Sequence, residues 1–234
     1  MLALDAQENR PLARVIAGLM QAGEPESWSS DELLTLDLEA EHHPPGAVIG
    51  AAGAIEPGVT RMKWLLDGWV CEARVLPNGQ RQIFSFAIPG DVIEMPLSPR
   101  SRAIVAVTAV QCVDVAELLA RTPHPDDVSE AMSRAVALAT ARRYEHLSRL
   151  VRRSAVIRLA SLLVELHDRL DQVGLVKGEA FALPLRHEEL ADALGLSPVH
   201  VTRCFKILRQ KRLMTMKFRR VTDFDRAEIK KLCD

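Results

Sequence analysis

The sequence predicts an α+β protein with three parts in chain order: an N-terminal antiparallel β domain, one long helix and a C-terminal winged helix-turn-helix. Three observations carry this prediction. Short β-branched and aromatic runs recur between turn signals from about residue 38 to 118, residues 126–153 contain neither Gly nor Pro, and a helix-turn-helix pattern occupies residues 187–206. The predicted boundaries are 1–125, 126–153 and 154–234.

The composition is that of a folded chain. It has 234 residues, of which 48% are hydrophobic and 26% charged, which excludes a disordered protein. Apolar runs stay well short of the roughly 20 residues that a membrane span needs, and the N-terminus carries acidic residues where a secretion signal would be basic. We therefore expect a cytoplasmic protein with no membrane partner.

The cysteines and histidines predict no bound metal. The four cysteines are far apart in the sequence, with no Cys-x-x-Cys and no Cys/His cluster at metal-ligand spacing: Cys71, Cys112, Cys204 and Cys233. Structural zinc, an iron-sulfur cluster within one chain and a disulfide framework are all disfavoured. No cofactor is expected.

The N-terminal part has the pattern of a small antiparallel barrel or sandwich. Pro77-Asn78-Gly79 is a hairpin signal between two of its strands, and Gly68, Gly79 and Gly90 recur at equal spacing. The runs of strand length are 47–49, 62–66, 69–75, 82–86 and 103–108.

The long helix begins with Asp126 and Asp127, which suit a first helical turn. Its apolar stripe predicts the seam of a parallel homodimer, because about 25 helical residues span near 40 Å and need a partner surface. The seam residues are Val128, Met132, Ala135, Leu138 and Ala139. Packing of the stripe on the chain's own β domain is the alternative. Ser154 offers the N-cap of a further helix that Gly174 ends.

Residues 187–206 match a helix-turn-helix position by position. Ala191 is small where two helices cross, Gly195 suits the turn, and Ser197 and Pro198 start the second helix. Leu190, Leu194, Leu196 and Val201 form the predicted wedge between the helices, and Cys204, Phe205, Ile207 and Leu208 face the core.

The second helix of this motif is predicted to enter the major groove of DNA. Arg203 suits a bidentate contact to guanine, His200 and Thr202 can donate or accept, and Val199 can touch a thymine methyl. The residues of this helix expected at DNA are Ser197, Val199, His200, Thr202, Arg203 and Lys206.

Charge is segregated along the chain and favours the same surface. Residues 1–125 have a net charge of −7, residues 126–183 of +1 and residues 184–234 of +5, and Arg203–Arg220 holds eight basic residues and no acid. A merely solvated basic face is disfavoured, because Met214–Val221 alternates like a hairpin wing. Its Lys217, Arg219 and Arg220 are expected to reach phosphates.

With these features the chain resembles the Crp-Fnr superfamily of bacterial transcription regulators over roughly residues 35–225. The resemblance rests on Pro45-Gly46-x-x-Ile49, the spacing of Gly68, Gly79 and Gly90-Asp91, the long helix, and Glu189-Leu190-Ala191 through Val201-Thr202-Arg203. It implies a cyclic-nucleotide-binding-like β-roll, a dimerisation helix and a winged helix. The implied partners are a second copy, a two-fold symmetric double-stranded DNA site and RNA polymerase.

The effector pocket departs from the pattern of cyclic-AMP-binding members. Arg100-Ser101 resembles their phosphate-binding pair, but the segment is shorter and Met95 falls where Glu is expected unless the register slips to Glu94. Arg143-Tyr144 replaces the pair that contacts adenine. The pocket residues implied are Glu94, Arg100, Ser101, Arg143 and Tyr144, and cyclic AMP is not the expected effector. An unidentified small molecule is left open.

The DNA-reading elements depart as well. The Glu that the family uses in its Glu-x-x-(Ser/Gly)-Arg pattern is Val199 here, so a different half-site is expected while Arg203 is retained. Arg186 stands at the usual Ser/Thr cap position, which predicts a poorly capped helix start. Arg186 and His187 are expected at the DNA instead.

Two alternatives remain at this stage. One is a member of the superfamily that responds to a cyclic nucleotide, to haem or to redox state. His42, His43, Cys71 and Met95 are residue types that can ligate haem, although no spacing favours haem. A cupin-like metalloenzyme with a DNA-binding tail is the other. It is disfavoured because residues 62–118 contain no His, and we expect no enzymatic activity.

Overall fold

The computed structural model of this chain describes residues 38–49, 61–95 and 102–233. These residues form two compact units. The first comprises the described residues up to Glu72 together with Phe86–Thr140, and the second comprises Ala73–Ser85 with the described part of Ala141–Asp234. The division falls inside the long helix, at 140/141, and not at either of its ends.

Two four-stranded sheets build the β-roll. The strand orders are β1-β8-β3-β6 and β2-β7-β4-β5, and β8 lies antiparallel between β1 and β3. This confirms the predicted antiparallel N-terminal sheets. The strands are β1 (Glu41–His43), β2 (Val48–Ile49), β3 (Met62–Asp67), β4 (Val70–Val75), β5 (Arg81–Ala87), β6 (Val92–Glu94), β7 (Ala103–Ala106) and β8 (Val110–Asp114).

Gly68 makes the tight connection between β3 and β4. Its φ of +88° lies in the left-handed region, and a Cβ at this position would stand 2.1 Å from the backbone oxygen of Ala109. Both the backbone conformation and the close approach of the neighbouring chain therefore require glycine here.

The start of the long helix packs on the β-roll of its own chain. Helix α1 (Val115–Arg121) begins at Asp114, whose side chain caps the Ala116 N–H, and α2 spans Pro125–Arg152. Val128 and Met132 are 0% and 3% exposed in one apolar cluster with residues that include Trp64, Leu66 and Leu118. Val128 and Met132 are thus covered by the β-roll of their own chain, which is the packing given above as the alternative to a dimer seam.

Further along α2 the predicted seam residues are more accessible. Ala135 and Ala139 are half-buried, and Leu138 is exposed. Among the described residues, no helix has both the length and the apolar character that a bilayer crossing requires.

The second unit contains the end of α2 and the C-terminal helices. Its further elements are α3 (Ala155–Gln172), β9 (Phe181–Ala182), α4 (His187–Leu194), α5 (Pro198–Gln210), β10 (Thr215–Lys217), β11 (Arg220–Thr222) and α6 (Arg226–Cys233). The order of the small sheet is β10-β11-β9. The apolar face of α3 is buried, and His167 packs against Phe181 and Phe224 with ring centroids 5.0–5.5 Å apart. Asp168 on α3 pairs with Arg226 on α6 at 2.5 Å.

Candidate nucleic-acid interface

The two helices of the motif meet at a left-handed turn. Gly195 ends α4 with a φ of +62°, and the Leu196 N–H donates to the Ala191 oxygen over 3.1 Å. Helix α5 then starts with Pro198 in its first turn and Ser197 as the N-cap. Leu190, Leu194 and Val201 are completely buried between the helices, as the wedge requires, whereas Leu196 is half-buried.

The start of α4 is capped by an unexpected residue. Arg186 makes no side-chain cap of its own, but the buried carboxylate of Glu189 reaches back and accepts the Arg186 N–H at 2.7 Å. The same carboxylate accepts the guanidinium at 3.0 and 3.1 Å, which raises the pKa of Arg186. The Glu half of a capping box is therefore present, whereas the arginine side chain has no oxygen to accept the N–H that a Ser or Thr would bind.

Helix α5 turns its predicted contact residues outward. Val199, His200, Thr202, Arg203 and Lys206 are all exposed along one side of the helix. Cys204, Phe205 and Leu208 are buried on the other side, as predicted, and burial raises the pKa of the Cys204 thiol. Ile207 is exposed, which corrects the expectation that it faces the core.

Hydrogen bonds hold the polar groups of this surface. His187 Nδ1 lies 3.0 Å from Thr202 Oγ1, and the Thr202 hydroxyl donates to the Pro198 oxygen at 3.0 Å. His200 Nδ1 lies 2.8 Å from Ser197 Oγ. The His187 ring also stacks on Phe205, with centroids 5.4 Å apart. The first helix is thus fixed against the second through side chains at the exposed surface.

A two-stranded wing follows α5. Strands β10 and β11 pair antiparallel, with Lys217 opposite Arg220, and are joined by Phe218 and Arg219 at φ values of 48° and 57°. Two central residues with positive φ make a hairpin turn whose twist matches the strands. Lys217, Arg219 and Arg220 are exposed, and Phe218 at the tip is fully exposed at 102%.

Comparisons with known proteins agree with this architecture. Residues 157–232 match the family model of the Crp-like helix-turn-helix domain. The nitrogen fixation regulation protein FixK of Rhizobium meliloti is 29% identical over 81% of this chain and 85% of its own length. The solved structure of FixK2 from Bradyrhizobium japonicum superimposes with a TM-score of 0.68, covering 85% of this chain and 98% of that one at 22% identity.

Residues 157–232 therefore carry a Crp-like helix-turn-helix domain, and the relatives and the solved structure support the Crp-Fnr superfamily for the chain. The transcriptional activatory protein AadR of Rhodopseudomonas palustris is a further relative, 30% identical over 65% of this chain and 64% of its own length. The match to AadR therefore spans just under two thirds of that protein.

Side chains that the sequence did not single out attach this Crp-like helix-turn-helix to the end of α2. Arg158 donates from Nη1 to the Leu194 oxygen at 3.1 Å and from Nε to the Arg153 oxygen at 2.9 Å. The buried His146 bonds the backbone of Ala193. The contacts of Arg158 with Leu194 and of His146 with Ala193 join residues far apart in the chain, so sequence periodicity could not reveal them.

The effector pocket expected from the superfamily is only partly described. Arg100 and Ser101 lie outside the described residues. Glu94 ends β6 in the first unit, whereas Arg143 and Tyr144 lie on the part of α2 that belongs to the second unit. Arg143 is half-buried and Tyr144 is exposed. The pocket stays a prediction.

Proposed function

We propose that this protein is a homodimeric, sequence-specific DNA-binding transcription regulator and not an enzyme. One observation carries the proposal: the acid-free basic stretch Arg203–Arg220 spans the outer face of α5 and the wing of the same compact unit. Exposed cations on two elements that project from one body suit the phosphates that flank a major groove.

Arg203 is the principal base-reading residue in this proposal. It is exposed in the second turn of α5, where its guanidinium can donate two parallel hydrogen bonds to guanine O6 and N7. Thr202 is less suited to reading a base, because its hydroxyl hydrogen is used by Pro198 and its oxygen faces His187. Val199, exposed one turn earlier, can cover a thymine methyl.

Phosphate contacts are assigned to the residues around the recognition helix. Lys206 follows Arg203 on the outer face, and Arg186 and His187 stand at the N-terminus of α4. The wing contributes Lys217, Arg219 and Arg220. The aromatic ring of Phe218 at the wing tip suits contact with the apolar edge of sugars in the adjacent minor groove.

The dimer seam is proposed to lie on the second half of α2. Tyr144, Leu147 and Val151 are exposed at spacings of three and four residues, so they share one face of the helix. Exposed Ala137 and Ala141 continue this face toward the N-terminus. A parallel pairing of two such faces would place two winged helices on a two-fold symmetric site.

The signal that controls this dimer is proposed to be a small molecule other than cyclic AMP, with Arg143 and Tyr144 in place of the adenine-contacting pair. Work on DNA implies a cytoplasmic location and RNA polymerase as a further partner. The FixK and AadR relatives carry the names of regulators, which supports the same class of function.

Selection of bound duplexes from a random pool by the full chain tests the proposal. The expected motif is two-fold symmetric, with half-site centres about one helical turn apart and affinity that falls steeply with salt. Parallel selections with and without a small-molecule extract detect effector dependence. Recovery of no motif, or of a single asymmetric half-site bound by one chain, would contradict the proposal.

A further inference from the structure

Three side chains with metal-donor atoms converge at an edge of the β-roll. Glu41 and His43 lie on β1, and Cys112 lies on β8 directly opposite Glu41 in the antiparallel pair. Because side chains alternate along a strand, Glu41 and His43 point to the same face. One donor atom of each residue lies within 4.8 Å of the others, and His43 Nε2 is 3.2 Å from Glu41 Oε2.

The two carboxylate oxygens of Glu41 have different partners. Its Oε2 faces His43, while Oε1 accepts a hydrogen bond from Lys63 Nζ. Lys63 also lies 3.9 Å from Asp114. In metal sites a ligating carboxylate is commonly held by a second hydrogen-bonding group, which fixes its orientation. Lys63 provides that support without occupying the oxygen that faces His43.

The three donor residues differ in burial. Cys112 is 0% exposed and belongs to the apolar cluster of the β-roll together with its cross-strand neighbour Leu65. His43 and Glu41 are half-buried at the edge strand, which leaves an approach from solvent. The donors thus combine one sulfur in the interior with nitrogen and oxygen at the rim.

We propose that His43 Nε2, Cys112 Sγ and Glu41 Oε2 bind a divalent transition metal of the zinc class, with one coordination position open. Imidazole, thiolate and carboxylate are the protein ligands that Zn²⁺ uses, and three of them with a free position are typical of sites that take a further ligand. Binding releases the thiol proton of Cys112 to solvent. The ion and Lys63 then balance the thiolate, Glu41 and Asp114.

This site was not predicted from the sequence because its donors come from two strands that are far apart in the chain. Of the adjacent histidines, only His43 shares the face of Glu41. His42 points to the other face, where its Nδ1 lies 3.4 Å from Gln111 Nε2. His42 is therefore a matched control for His43, and the buried Cys71 is one for Cys112.

Cobalt(II) titration of the full chain, first stripped with a chelator, tests the site. We expect one Co²⁺ per chain with a near-ultraviolet thiolate-to-cobalt charge-transfer band that Zn²⁺ removes by displacement. Cys112→Ser and Cys112→Ala should lose the band, and His43→Asn should weaken Co²⁺ binding by about tenfold or more. His42→Asn and Cys71→Ser should behave like the wild type.

Thermal unfolding of the same proteins supplies a second readout. Zn²⁺ should raise the melting temperature of the wild type and of His42→Asn, and should raise that of His43→Asn by less. If the Cys112 variants fail to fold, the His43→Asn variant still tests the proposal, because His43 is only half-buried. Absence of Co²⁺ binding, or wild-type binding by His43→Asn, overturns the proposal. Either result leaves DNA binding by the winged helix as a separate question.

Discussion

The hydroxyl oxygen of Ser197 accepts a hydrogen bond from the backbone N–H of His200 over 3.3 Å. This bond satisfies one of the free N–H groups at the start of the recognition helix. Ser154 stands at the equivalent position of α3 but makes no side-chain cap hydrogen bond. Two serines at N-cap positions in one compact unit thus differ in whether they cap.

Ser197→Ala should destabilise the second unit by about 1 kcal/mol, because an N-cap bond is lost and the His200 N–H is left to solvent. Ser154→Ala is the matched control and should be close to neutral. Urea unfolding followed by circular dichroism measures both. Equal destabilisation by the two changes would show that the Ser197 bond contributes nothing specific to the start of α5.

The pH dependence of stability should carry a contribution from His146. Burial and the adjacent Arg149 guanidinium lower the pKa of the His146 imidazole, against the opposing influence of Glu165 and the Ala193 backbone. The unfolded chain, in which a histidine has a pKa of about 6.5, therefore takes up the proton first as the pH falls. Stability is full above pH 6.5 and decreases as the pH falls from there toward the lowered folded-state pKa.

His146→Gln should remove this decrease. The midpoint of urea unfolding, measured from pH 7.5 to 5, should fall less with acid in His146→Gln than in the wild type. His42→Gln changes an exposed imidazole and should retain the wild-type slope. An unchanged slope in His146→Gln would mean that protonation of this buried group is not coupled to unfolding.

Much of the helix-turn-helix was predictable, because its signals are local. Gly195 suits a left-handed turn and Pro198 suits a first helical turn, so each residue indicates its own place. The Glu189 contact with the Arg186 N–H is local as well, since a Glu three residues after the cap position is the pattern of a capping box. The covering of Val128 and Met132 was not predictable, since an apolar stripe does not say which surface it meets.

The position of the dimer seam can be tested on the exposed face of α2. Leu147→Glu should shift the protein from dimer to monomer, because a carboxylate would be placed in an apolar interface. Val75→Glu changes an apolar side chain that is also exposed but lies on β4, and it should leave the dimer intact. Sedimentation equilibrium distinguishes the two species. A dimeric Leu147→Glu would move the seam to another face.

Removal of a wing cation should weaken binding to all DNA sequences alike. Arg220→Ala is expected to lower affinity for the selected site and for random duplex by the same factor, and to reduce the salt slope by about one. Lys231→Ala removes an exposed cation paired with Glu228 on α6 and should change neither quantity. Fluorescence anisotropy at several salt concentrations measures both the affinity and the salt slope. A loss confined to the selected site would assign Arg220 to base reading.

Arg203→Ala tests the central claim most directly, by repeating the selection from random DNA with the variant and the wild type side by side. Loss of the guanidinium should cost about 1–3 kcal/mol on the wild-type site and should relax one base position in each half-site, while the spacing of half-sites is kept. Recovery of an unchanged motif with unchanged affinity would contradict the docking of α5 in the major groove.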